Sequence, residues 1–138
     1  MVGPTIRVRP TVVPAASFHT LPPCRIVDTR DPPGANGGPA LPASGLRTFT
    51  LTGGPCGVPS PAKSVAANLT VTQPAAGGHL VVFPAGSSAP LASVINFSAG
   101  QTRANNAVLE LGTGGAVSVQ SGSPGTVHFI LDVTGYFE

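Results

Sequence analysis

The chain has 138 residues, room for one domain, and its 18 glycines and 16 prolines fall between short apolar runs and do not form a low-complexity tract. Only 9% of the residues are charged, the formal net charge is +2 and there is no basic block, which argues against nucleic acid as a partner. No apolar run reaches the roughly 18 residues of a helical membrane span, Met1 is not followed by the charged and apolar regions of a signal peptide, and with no Trp and one Tyr the chain lacks most side chains that stack on sugars or bases.

Residues 1–17 read as an extended arm or linker. Ile6 and Val8 alternate with Arg7 and Arg9, followed by Pro10, Val12, Val13 and Pro14. From residue 18 the chain becomes a series of short strands. The first is predicted over 24–30, ahead of a long polar turn over 31–45 with four prolines and four glycines. Residues 46–52 alternate, with Phe49 and Leu51 on one face and threonines on the other. After a Gly/Pro loop, 64–72 places Val65, Ala67, Leu69 and Val71 inward and Ala66, Asn68, Thr70 and Thr72 outward.

Further strands are predicted over 78–83, 91–98, 106–111, 116–120 and 126–136. In the last, Val127, Phe129, Leu131 and Val133 face inward and His128, Ile130, Asp132 and Thr134 face the other way. Strands at this spacing, without helical periodicity, predict an all-β antiparallel sandwich, jelly-roll or Ig-like, of about eight to nine strands over 18–138. All six Phe residues read as core. The outward faces carry Thr and Ser where ordinary soluble domains carry Lys and Glu.

Cys24 and Cys56 are the two cysteines. An even count in a chain this poor in charge suits a secreted protein with one disulfide, closing a loop of about thirty residues. Two independent buried thiols are the alternative. Their spacing matches no zinc pattern.

Asp28 and Arg30 stand two apart on one strand face and read as a structural clamp. In that reading Asp28 accepts N–H groups from a neighbouring loop and Arg30 ties down carbonyls, because buried charges need partners. Asp132 joins them as a third clamp residue. A metal site combining Asp132 with Asp28, Asp31 or Glu110 falls short of the 6–8 oxygens calcium takes, and no metal or cofactor is expected. His19, His79 and His128 invite a triad with Asp132, but there is no G-x-S-x-G elbow and no suggestive carboxylate pair, so the chain is expected not to be an enzyme.

Asn68 and Asn96 sit mid-strand and Asn105–Asn106 are predicted to open a strand, although Asn is depleted in strands. They read as structural amides bonding loops or a partner chain; an amide ladder between stacked copies is the sharper reading. Asn68-Leu69-Thr70 and Asn96-Phe97-Ser98 also match the glycosylation sequon.

Several segments carry a family resemblance: Pro23-Cys24-Arg25-Ile26-Val27-Asp28-Thr29-Arg30, Cys56-Gly57-Val58-Pro59, Ala66-Ala67-Asn68-Leu69-Thr70-Val71, Ile95-Asn96-Phe97-Ser98-Ala99-Gly100-Gln101, Ala104-Asn105-Asn106-Ala107 and Asp132-Val133-Thr134-Gly135-Tyr136-Phe137. Together they resemble a recurrent all-β domain of bacterial secreted and cell-surface proteins. The resemblance implies an extracellular location and a paired Cys24–Cys56, and supplies no catalytic residues. It spans about residues 18–138, so the arm lies outside it.

An extended arm ahead of a β-domain can add to the open edge of a neighbour's sheet, with Ile6, Val8 and Val12 as pocket fillers. A head-to-tail contact of this kind makes rings or filaments. The expectation is therefore a non-catalytic, self-associating structural module, a homo-oligomer or polymer. A binding module for cell-envelope or extracellular polysaccharide is the alternative, resting on fold analogy and on Tyr136 alone.

Overall fold

The computed structural model describes residues 15–90 and 93–138. Eight strands follow in chain order: β1 (Phe18–Asp28), β2 (Leu46–Thr50), β3 (Ser64–Thr72), β4 (Gly78–Pro84), β5 (Ile95–Phe97), β6 (Arg103–Glu110), β7 (Ala116–Ser121) and β8 (His128–Phe137). They form two four-stranded sheets, ordered β1-β8-β3-β6 and β2-β7-β4-β5. Every strand pair is antiparallel. The predicted all-β sandwich is the observed architecture.

Alternation explains the core. Val65, Leu69 and Val71 on β3 are fully buried with Ala67 beside them, and Val127, Phe129, Leu131 and Val133 meet them from the β8 segment. Leu80, Val117, Val119 and Phe49 supply the facing layer, where the Phe49 and Phe129 rings lie 5.8 Å apart across the sandwich. The disulfide Cys24–Cys56 ties β1 to the β2–β3 loop, with Cα atoms 5.6 Å apart.

Several boundaries differ from the predicted ones. β1 starts at Phe18, six residues before Cys24, and ends at Asp28. Pro22 and Pro23 interrupt its pairing with β8 without ending the strand, because β1 is an edge strand and a proline there need not donate to a second neighbour. β6 begins at Arg103, so Asn105 and Asn106 lie mid-strand. β5 is described over three residues only.

Three burial expectations are corrected. Ile130 is buried despite its outward parity, set opposite Asp28 of β1 and Thr70 of β3. Phe18 is 49% exposed and packs on Phe137 at 4.9 Å, so the six Phe residues are not all core. The turn over 31–45 is not polar throughout: Leu41 is fully buried and exchanges two backbone hydrogen bonds with Val127. At Gly135 a Cβ would lie 2.5 Å from the Phe18 ring and 2.7 Å from the His19 carbonyl, so only glycine lets Phe18 lie across β8 there.

Candidate functional site

The charges gather at the β1–β8 seam. Asp28, its side chain only 7% exposed, accepts the Arg30 N–H at 3.0 Å and the Arg30 guanidinium at 2.9 and 2.8 Å. Arg25 stands 3.7 Å from Asp28 and grips Asp132 with two hydrogen bonds of 2.8 and 3.2 Å. Asp28, Arg30 and Asp132 thus share one network, joined by Arg25, a residue the sequence reading passed over. The Arg30 hydrogen bonds hold the Asp28 carboxyl below the usual carboxylate range, against the effect of its burial.

The expected contacts of this cluster need correction. Asp28 accepts from its own chain two residues on, and Arg30 turns back onto Asp28, not onto carbonyls. Carbonyls are tied down by Arg47, whose guanidinium donates to Gly37, Pro39, Gly34 and Ala35 at 2.9, 2.7, 3.2 and 3.4 Å. Arg47 also stacks 4.7 Å over Phe49, and burial lowers its pKa.

The 31–45 turn thereby closes one side of the sandwich. Asn36 Nδ2 donates to the Ile26 carbonyl of β1 at 3.1 Å and to the Thr50 carbonyl of β2 at 3.0 Å, joining the two sheets through one amide. The Asn36 carbonyl accepts the Asp28 N–H. On this side the β1 edge also carries Pro22, Pro23 and two breaks of register, the features that discourage further strand pairing.

The opposite side is built differently. β6 pairs with β3 and, among the described residues, has no strand on its other side. Asn105 Nδ2 donates to the Val94 carbonyl at 3.0 Å and so bridges toward the second sheet. Asn68 Nδ2 donates to Asn106 Oδ1 at 2.9 Å, and Asn68 Oδ1 accepts from Thr70 at 3.3 Å. Arg25, Asp132, Asn68 and Asn106 stand in one row across four strands on the outer face. Asn96, on β5, accepts from Ser93 at 3.1 Å and belongs to no such row. Val108, beside Asn106 on the outer face, is 63% exposed.

The three histidines do not converge. His19 stacks on Tyr136 at 4.9 Å near one end of β8, and His128 bonds the Thr29 hydroxyl at 2.9 Å at the other end. Tyr136 and His128 stand eight positions apart on this strand, about 26 Å at about 3.3 Å per residue. His79 lies in the other sheet, opposite Asn96. Among the described residues no three His, Cys, Asp or Glu side chains are grouped to hold a metal ion, and no helix is long and apolar enough to cross a membrane.

Ile6, Val8 and Val12 lie outside the described residues. Ser17, placed in the arm by sequence, exchanges two backbone hydrogen bonds with Glu138 and so continues the β1–β8 pairing. No protein-family model matches the chain, and no curated protein matches it in sequence.

Proposed function

We propose that this chain is a non-catalytic structural module of the bacterial cell exterior that associates with copies of itself. The observation that carries the reading is the contrast between the two sides of the sandwich: one laced shut through Asn36 and Arg47, the other bridged at Asn105 and ending in β6, which among the described residues pairs with β3 alone. The outer face beside β6 is made of Ala66, Asn68, Thr70, Ala104, Asn106 and Val108, a neutral surface suited to contact with its own copies. The disulfide and the resemblance of the Pro23–Arg30 and Asp132–Phe137 segments to secreted domains support the location.

In this reading the arm ahead of Ser17 adds to a neighbour's sheet through Ile6, Val8 and Val12 and extends the assembly into rings or filaments. The polysaccharide alternative has less support, because the one tyrosine it relies on has a ring face covered by His19. Sedimentation velocity and negative-stain imaging of the full chain test the proposal. Concentration-dependent assemblies are expected, reduced in length by Ile6→Asp with Val8→Asp. A monomer at every concentration would refute self-association.

A further inference from the structure

We infer that β6 is the contact strand of a two-fold dimer, pairing antiparallel with β6 of a second copy about Asn106. This rests on the self-association reading above and names its site. Of the two outer strands of its sheet, β1 is guarded by Pro22, Pro23 and its register breaks, whereas β6 runs from Ala104 to Leu109 without a charge or a proline. Its charges stand at the ends: Arg103 opens the strand and Glu110 closes it. Antiparallel pairing brings Arg103 of one copy to the end where the partner's Glu110 lies. Parallel pairing would set like charge beside like.

The pleat narrows the register. Opposed residues of an antiparallel pair share a face, so a two-fold axis must pass through a residue and not between two. On β6, Ala104, Asn106 and Val108 face outward, opposite Thr70, Asn68 and Ala66. With Asn106 on the axis, the exposed Val108 covers the small Ala104 of the second copy on each side. The Asn68–Asn106 amide pair then continues into its symmetry mate, an amide row running across the joint sheet. Moving the axis to Ala107 would oppose Asn106 to Val108 and lose both matches.

The test uses full-length protein. Opposed Cα atoms of an antiparallel pair lie about 4.5–5.5 Å apart, inside the roughly 4.4–6.8 Å window of a disulfide. Because Cys24 and Cys56 are already bonded to each other, Asn106→Cys adds the only thiol, and dissolved oxygen as oxidant should convert it to a covalent dimer on a non-reducing gel. Ala104→Cys and Val108→Cys alone should link far less, and the double variant should link. With the arm contact removed by Ile6→Asp and Val8→Asp the chain should be dimeric, and adding Val108→Lys, at an exposed position, should keep the fold and give a monomer. A wild-type chain that stays monomeric through the micromolar range overturns both this inference and the self-association reading. Dimers of the arm variant that persist when Val108→Lys is added, or an Asn106→Cys chain that does not cross-link within wild-type assemblies, overturn the β6 contact alone.

Discussion

Arg25 and Asp132, 107 positions apart in the chain, are joined by two hydrogen bonds across the β1–β8 pair, and Arg25 also reaches Asp28. This places a four-residue charge network beside the register break at Ile26, where the β1–β8 ladder is interrupted.

Asp28→Asn should destabilise the domain by about 1–3 kcal/mol, because a buried carboxylate with three charge-assisted or backbone bonds is replaced by a neutral amide. Its pKa is lowered from 3.8 in the folded state. The stability this supplies is whole above the unfolded pKa and is lost as pH falls through the folded one. Thermal melts should therefore show an acid limb below about pH 4 that is shallower in Asp28→Asn. Equal limbs in the two proteins would contradict this account.

Thr29→Val should cost about 1–3 kcal/mol, since the buried Phe129 N–H donates to the Thr29 hydroxyl at 2.9 Å and would lose its acceptor. Thr29→Ser should recover most of the loss. The same hydroxyl pairs with His128 Nδ1 at 2.9 Å, donating when the ring carries its proton on Nε2 and accepting when it carries it on Nδ1. Nitrogen-15 shifts of the ring report this directly.

Arg47→Lys should loosen the 31–45 turn, because an ammonium cannot reproduce a planar fork that reaches four carbonyls. Amide exchange should rise at Gly38 and Leu41 while β3 and β8 keep their protection. Asn36→Ala should do the same through the Ile26 and Thr50 carbonyls. An unchanged exchange pattern in both variants would show that the turn is held by Leu41 alone.

Reduction of Cys24–Cys56 should lower stability by roughly 3–4 kcal/mol through the loop of about thirty residues it closes. Unfolded, unreduced protein should show no reactive thiol. Denaturant midpoints with and without reductant measure the difference.

Much of the fold was legible in the residues. β3 was read to its first and last residue, and both its faces were read correctly, because it is an interior strand with a strict period of two. The inward set of β8 was equally plain. β1 was not, since Pro22 and Pro23 read as a boundary when an edge strand accommodates them. The Asp28–Arg30 contact was visible at a spacing of two, although its bonds were assigned to the wrong groups.

By itself the amino-acid sequence determined the sandwich class, the buried alternation and the scarcity of charge, for these depend on local periodicity and composition. The tertiary structure alone decided that Arg25 meets Asp132, that Asn36 spans two sheets and that Leu41 enters the core. It also decided which strand stands outermost. Strand order is a relation between segments far apart in the chain, set by how two apolar faces close on each other, and no local pattern in β6 distinguishes an edge strand from an interior one.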